Sequence, residues 1–218
     1  MRVKYLGHSG FLLETESARL LFDYYTGKLP EKTGKPLYVF VSHGHHDHFN
    51  PAIFSLDAAA YILSDDIELH RKDVVFMAAG EERDVDSLHI RTLRSTDEGV
   101  AFLVKVDGHT IYHAGDLHLW LWDEEDTPEE AEAMTQAFRG EVEKLRGEHI
   151  DVAFLPLDSR QSPEQYWLGL DYAARTLEID HIFPMHLWER YEIIEPLRAK
   201  DYGGKIADLR ADGQEFSL

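Results

Sequence analysis

Four histidines and an aspartate lie within the six residues 43–48, directly after the apolar run 37–41. Imidazole nitrogens and carboxylate oxygens together form a ligand set that suits zinc, iron or manganese. The first two histidines are two positions apart, so extended backbone places them on one face, and a bend at Gly44 can bring the later residues to a second position. The pattern predicts a metal site at the end of a buried strand rather than a solvated loop. The candidate ligands are His43, His45, Asp47 and His48.

Two other apolar segments end in residues of the same kinds. Segment 110–112 leads into His113 and, three residues later, Asp116, while segment 180–184 leads to His186. In layered α/β folds the ends of the strands form the crevice where ligands bind. One shared site therefore explains these three strand ends better than three separate coincidences.

Composition limits the classes of function. The chain has 218 residues, which predicts one domain spanning 1–218, and 41 acids against 22 bases give a formal charge of −19. This charge disfavours nucleic-acid binding, and without cysteine there are no thiolate ligands. No apolar run approaches the ~18 residues of a membrane helix, and residues 1–6 resemble a strand rather than a signal segment. We expect a cytoplasmic protein with a small-molecule substrate, no nucleic acid and no membrane, and the sequence is compatible with a homo-oligomer.

The segments around these candidate residues have the sequence patterns of strands in the first part of the chain and of strands alternating with helices in the second part. Two sequences typical of capping boxes, Thr127–Glu130 and Ser162–Gln165, predict helices that end near Arg146 and Leu177. This order favours two β layers with helices packed outside. The predicted strands are 3–6, 10–14, 19–23, 37–42, 61–63, 74–77, 88–93, 100–106, 110–112, 151–157 and 180–184, followed by a helix near 193–200 and a hairpin at 205–216.

The motif His-x-His-x-Asp-His at 43–48 resembles the metallo-β-lactamase superfamily of metal-dependent hydrolases. Asp23, the His-Ala-Gly-Asp segment that ends at Asp116, and Pro184-Met185-His186 fit the same pattern. The resemblance implies an α/β fold (α+β by some schemes), a four-layer αββα sandwich with metals at its edge. The segments that look most like the branch containing ascorbate-6-phosphate lactonase are 112–116 and 151–156.

The resemblance also implies a cofactor of one or two divalent metal ions, with zinc favoured and manganese or iron as alternatives. The implied ligands are His43 and His45 for the first metal and Asp47, His48 and His186 for the second, with Asp116 bridging both and Asp23 orienting a ligand.

The segment after strand 88–93 departs from the family pattern. The family places a further histidine there as a ligand of the first metal, but residues 94–99 read Arg-Ser-Thr-Asp-Glu-Gly. Asp97 or Glu98 could substitute, because carboxylates also bind these metals. Three protein ligands and a water still make an adequate catalytic site, so the protein could hold two metals with unequal affinity or only one.

The implied chemistry is hydrolysis by a metal-activated hydroxide, because a cation stabilises hydroxide near neutral pH and takes up developing charge. Asp47 could orient or deprotonate the water, and His113, His118 or His8 could pass a proton to the leaving group. We expect a hydrolase of a small ester, lactone or phosphoester. The alternatives are a nuclease or phosphodiesterase of the same fold, which the charge disfavours, and a metal-binding or sensing protein without catalysis.

Several other residues have a functional and an ordinary interpretation. His8 and His118 fit surface or hydrogen-bonding roles as well as a site role. Aromatic residues near the predicted ligands could line a substrate pocket or simply pack in the core. Loop 24–36 could act as a lid or as a plain connector. The aromatic candidates are Trp120, Trp122, Trp188 and Tyr191, and Arg160 is a candidate for contact with a substrate anion.

Overall fold

Thirteen strands and three α-helices form two packed sheets with helices outside, in a computed structural model that describes residues 1–123 and 125–218. Within this part of the chain, no helix is both long enough and apolar enough to cross a membrane. The strands are β1 (Arg2–Gly7), β2 (Gly10–Glu14), β3 (Arg19–Phe22), β4 (Leu37–Val41), β5 (Ala60–Ser64), β6 (Val74–Met77), β7 (Glu82–Val85), β8 (Leu88–Arg94), β9 (Val100–Val106), β10 (His109–His113), β11 (His149–Pro156), β12 (Glu178–Met185) and β13 (Glu215–Ser217). The helices are α1 (Pro128–Val142), α2 (Leu168–Thr176) and α3 (Glu195–Arg198), with 3-10 turns at Pro51–Ser55, Glu143–Leu145, Tyr191–Ile194 and Gly203–Lys205.

Each sheet joins an antiparallel meander to a parallel half. The first sheet has the order β13-β1-β2-β3-β4-β5-β6, and the second has the order β12-β11-β10-β9-β8-β7. Neighbours from β3 to β6 are parallel, as are β10, β11 and β12. The other neighbours are antiparallel.

Aromatic side chains join the two sheets. Phe40 on β4 meets Phe102 on β9 edge-on, with ring centroids 5.3 Å apart, and Phe11 on β2 lies 4.3 Å from Phe154 on β11. All four rings are fully buried. Every residue of β4 is buried because this strand is covered on both faces, which explains its unbroken apolar sequence.

The helical layers differ between the two outer faces. Phe138 and Val142 of α1, with Leu170 and Ala173 of α2, belong to the core that includes the second sheet. On the first sheet, a separate apolar cluster lies under the 3-10 turn Pro51–Ser55 and neighbouring loops. The predicted α/β sandwich is confirmed, and its fourth layer is built from a short 3-10 turn and loops.

Three local predictions differ from the structure. Thr127 and Glu130 form the predicted capping box, but Ser162 does not: α2 begins only at Leu168, and Ser162 Oγ is buried without a partner among residues 1–123 and 125–218. The predicted hairpin at 205–216 is replaced by two separate pairings, because Glu215–Ser217 joins β1 whereas Ile206 bridges to Ile182 of β12. Sequence reasoning missed β7, since this edge strand is mostly exposed and charged.

The strands that precede the candidate residues all end at one edge of the sandwich. Strands β1, β3 and β4 run in one direction in the first sheet, as do β8, β10, β11 and β12 in the second. The backbone following them is joined across the sheets, since His186 N–H donates to the His8 carbonyl (3.1 Å) and Val100 N–H donates to the Ser42 carbonyl (2.9 Å). Side chains from seven separate segments are thereby brought to one place.

Phe102→Ala is expected to lower the free energy of unfolding by about 3–5 kcal/mol, because it leaves a cavity between the sheets. Denaturant unfolding followed by circular dichroism measures the effect. Phe216→Ala, at a half-buried ring on the edge strand, serves as the control and should cost less than half as much. Equal losses for both variants would contradict the assignment of the Phe40–Phe102 contact to the central core.

Candidate metal centre

His8, Asp47, His48 and His186 form a buried group whose ligand atoms all lie within 4.8 Å of one another. His8 Nε2 is 3.2 Å from Asp47 Oδ2, and His186 Nε2 is 3.9 Å from the same oxygen. Three of these residues belong to the ligand set implied for the second metal. His8, in the turn between β1 and β2, is not part of that implied set but lies in the same buried group.

Asp116 lies between this group and a second one that it forms with His43 and His48. Its Oδ1 is 3.2 Å from His48 Nε2 and 3.7 Å from His186 Nε2, while its Oδ2 is 3.6 Å from His43 Nε2. Because the two oxygens face different histidines, this carboxylate is positioned where it could contact two neighbouring ions.

His45 lies at the outer side of the centre. Its Nδ1 is 3.0 Å from His43 Nε2. One of its ring nitrogens also lies within 4.8 Å of carboxylate oxygens of Asp97 and Asp116. The intervening His46 has a side chain that is 84% exposed, so it faces away from the buried groups.

Asp23 fixes the orientation of His48. Its Oδ2 accepts a hydrogen bond from His48 Nδ1 (2.7 Å) and another from Ser42 Oγ (2.6 Å), while its Oδ1 accepts from Ser42 N–H (2.7 Å). With Nδ1 donating to Asp23, Nε2 is the His48 nitrogen left to bind a cation, and it faces Asp116. This matches the orienting role that the resemblance implies for Asp23.

Asp158 is the carboxylate next to His186 and was missed by sequence reasoning. It is fully buried, and its Oδ2 lies 2.9 Å from His186 Nδ1. Arg160 donates hydrogen bonds to this carboxylate from its Nε and Nη2. The guanidinium carbon of Arg160 is 5.0 Å from the Trp188 ring. The signal was available, because Asp158 follows the apolar strand β11 in the way that Asp116 follows β10.

His113 is buried close to the centre, but backbone groups engage both of its ring nitrogens. Nε2 donates to the Ser9 carbonyl (3.0 Å), and Nδ1 accepts from Gly115 N–H (3.2 Å). The ring is stacked on Phe22 at 5.0 Å. Because both nitrogens have backbone partners, this geometry indicates a positioning role for His113, and its expected proton-transfer role stays a prediction.

Other predicted residues divide between the site and the core. His118 is buried rather than exposed, and its Nε2 donates to Gln161 Oε1 (2.7 Å). Trp120 is buried and donates through Nε1 to the Asp116 carbonyl (3.0 Å), so it supports the turn that carries this ligand. Trp188 is 37% exposed, and its ring lies 4.6 Å from that of His8. Tyr191 instead donates to Asp212.

The backbone at the centre is strained at several positions. His8, Asp23 and His186 have positive φ angles of 54°, 40° and 63°. Left-handed backbone costs non-glycine residues about 1–3 kcal/mol and is concentrated at functional sites. The long loop 24–36 approaches the centre at its start, where the Tyr25 ring centroid lies 6.1 Å from that of His8.

Electrostatics at the centre favour a positive charge. Burial lowers the pKa of His8 to about 4 despite Asp47, and burial together with His48 lowers the pKa of His43 to about 4. Burial would also lower the pKa of His48, but Asp116 and Asp23 outweigh it and raise this pKa to about 9. His8 and His43 are therefore neutral at pH 7 with a lone pair available, while the carboxylates attract a proton to His48.

The donor set fits a divalent metal. His48 Nε2 and Asp116 Oδ1 are both buried, and neither makes a hydrogen bond among the residues described. Leaving such atoms unpaired is costly, and a shared cation would satisfy both. Imidazole and carboxylate donors suit zinc, iron or manganese alike.

The fold is shared with solved metal-dependent enzymes. A metallo hydrolase from Ignicoccus hospitalis matches with a TM-score of 0.65 and 18% identity over 100% of this chain and 98% of that one. A metal-dependent hydrolase structure from Parabacteroides distasonis matches with a TM-score of 0.62 and 17% identity over 95% and 92%. CmlA, a diiron β-hydroxylase from Streptomyces venezuelae, also has this fold, with a TM-score of 0.55 and 11% identity over 85% of this chain and 44% of that one.

The fold and the site define a metal-dependent enzyme. The family model described as "Beta-lactamase superfamily domain" matches residues 2–133, and a "UPF0173 metal-dependent hydrolase" from Opitutus terrae is 30% identical over 72% of this chain and 72% of its own length. Another of the same name, from Pelotomaculum thermopropionicum, is 28% identical over 89% and 87%. The chain belongs to this family of metal-dependent hydrolases in the β-lactamase superfamily.

Asp23→Asn is expected to weaken metal binding by about 10–100-fold, because the amide has one acceptor oxygen and cannot serve both His48 Nδ1 and the Ser42 N–H, which bond to different oxygens of the carboxylate. Competition with a coloured chelator measures the affinity. Asp84→Asn is the matched control, since Asp84 pairs with His89 on an exposed strand, and it should leave the affinity unchanged. If Asp23→Asn bound metal as tightly as the unmodified protein, the orienting role would be refuted.

Proposed function

We propose that this protein hydrolyses a small ester, lactone or phosphoester at a centre of one or two divalent metal ions. The observation that carries the proposal is a pair of buried atoms, His48 Nε2 and Asp116 Oδ1, that lie 3.2 Å apart and make no hydrogen bond in the part of the chain that the structure describes. The residues that would hold metal are those anticipated from the sequence, with His8 added. For the first position they are His43, whose Nε2 lies 3.0 Å from His45 Nδ1 and 3.6 Å from Asp116 Oδ2, and those two neighbours. For the second position they are the buried group of His8, Asp47, His48 and His186, together with Asp116, whose Oδ1 faces His48 and His186.

A divalent metal at these positions supplies Lewis acidity, which lowers the pKa of a bound water towards 7 and polarises a substrate oxygen. Asp47 is buried and carries a negative charge, because the adjacent His8, 3.2 Å away, and the nearby His48 outweigh the effect of burial and hold its pKa far below the usual value. Asp47 therefore accepts a hydrogen bond from an attacking water and orients it.

Arg160 and Trp188 support a small substrate with an anionic part. The Arg160 side chain is 53% exposed, and its Nη1 makes no hydrogen bond within the described chain. The guanidinium can therefore receive a carboxylate or phosphate oxygen while Asp158 holds it in place. The exposed Trp188 ring beside it offers an apolar surface. A lactone or phosphoester of a small metabolite combines these features.

The acidic surface counts against the nuclease alternative. A charge of −19 repels an extended phosphate backbone, whereas a small anion contacts only the local cation of Arg160 and the metal. A metal-binding protein without catalysis would bind ions at the same residues but would hydrolyse none of the model substrates. The experiment below distinguishes these alternatives.

The proposal predicts that purified protein contains metal and hydrolyses at least one of three probes: a p-nitrophenyl carboxylate ester, a five-membered lactone or p-nitrophenyl phosphate. His186→Ala should lower kcat/KM by more than about 100-fold, the upper end for groups that only orient a ligand, because it removes a ligand itself. Metal content by plasma mass spectrometry should fall in the same variant.

His181→Ala is the matched control, because this exposed histidine lies on the same strand away from the centre, and it should keep both metal and activity. Metal without turnover on any probe would favour the binding protein. Cleavage of single-stranded DNA in preference to all three probes would favour the nuclease. Full activity in His186→Ala would refute the site.

A further inference from the structure

The loop after β8, residues 95–99, is held against the end of β4. Gly99 has a φ of +68°, and a Cβ there would lie 2.0 Å from the Ser42 carbonyl oxygen and 2.6 Å from His43 Cβ. Val100 N–H donates to that same carbonyl. Only glycine permits this approach, which brings the loop directly beside His43.

The same loop is also tied to the segment that carries Asp116. Thr96 Oγ1 donates to the His118 carbonyl (2.5 Å) and accepts from His118 N–H (3.0 Å), and Ser95 Oγ accepts from Asp97 N–H (3.1 Å). Because the loop is anchored on both sides, Asp97 is held between the end of β4 and the turn at Asp116.

Two carboxylates of this loop contact different nitrogens of His45. Asp97 Oδ2 lies 4.0 Å from His45 Nδ1, the nitrogen that faces His43, whereas Glu98 Oε2 lies 3.3 Å from His45 Nε2, on the outer side. Ligand atoms that share one ion at about 2.1 Å lie about 3–4 Å apart. The spacings of His45 Nδ1 from His43 Nε2, 3.0 Å, and from Asp97 both fit this range.

We propose that Asp97 is the fourth protein ligand of the first metal, in the place where the family pattern has a histidine, and that Glu98 orients His45 by accepting from its Nε2. This inference rests on the proposed metal centre. The first metal would then have two nitrogen and two oxygen donors, from His43, His45, Asp97 and Asp116. The side chains of His45 and Asp97 are 43% and 47% exposed, so this position opens to solvent and can admit water or substrate.

Titration of metal-free protein with Co²⁺, followed by its visible absorption and by metal analysis, tests the assignment. Unmodified protein should bind two equivalents. Asp97→Ala should bind one equivalent tightly, with the affinity for the second lowered more than about 100-fold. Glu98→Ala, which removes the same charge, should lower the affinity for the second equivalent only about tenfold, as for a residue that orients a ligand. Asp97→His should restore two equivalents with an altered absorption spectrum, because nitrogen replaces oxygen as a ligand.

If circular dichroism shows that Asp97→Ala does not fold, Asp97→Asn, which keeps the size of the side chain, tests the assignment of Asp97 as a ligand instead. The inference would be overturned by two equivalents with unchanged affinity in Asp97→Ala and Asp97→Asn, by equal losses in Asp97→Ala and Glu98→Ala, or by one equivalent in unmodified protein. Unmodified protein that binds no Co²⁺ would instead refute the proposed centre as a whole. Loss of Co²⁺ in His186→Ala but not in Asp97→Ala would refute the Asp97 assignment alone.

Discussion

Carboxylates buried among histidines at one edge of the sandwich are the constraint on which this structure depends. Asp23 and Asp116 are almost completely shielded from water, and burying such charges without compensation costs several kcal/mol each. The surrounding imidazoles compensate only in part, which is why the pKa of His48 is raised to about 9. A divalent cation would provide the missing charge and satisfy Asp116 Oδ1 and His48 Nε2 together.

The two sheets act as a frame for this cluster. Parallel strands from both sheets end at the same edge, and their aromatic contacts, such as Phe40 with Phe102, fix one sheet against the other. The candidate ligands are oriented in turn by a layer of buried acceptors, in which Asp23 holds His48 and Asp158 holds His186. Metal-bound histidines commonly have such partners, which set the tautomer and direction of the ring.

Sequence reasoning was informative where the signal was local. An apolar strand followed by a histidine or an aspartate marked His43, Asp116 and His186, which the structure brings together, and the order of strands and helices indicated the sandwich. It could not reveal contacts between residues that are distant in the chain. Nothing near His113 in the chain reveals that the Ser9 carbonyl, 104 residues away, occupies its Nε2, and His8 reaches the centre only because β1 and β12 end side by side.

Anomalous diffraction from crystals of the purified protein, at the absorption edge of the metal that fluorescence identifies, would locate the ion. We expect an anomalous peak within bonding distance of His48 Nε2 and Asp116 Oδ1. An absent peak at that position, or a peak found only at the exposed group of His149, Asp151 and Asp180, would contradict it.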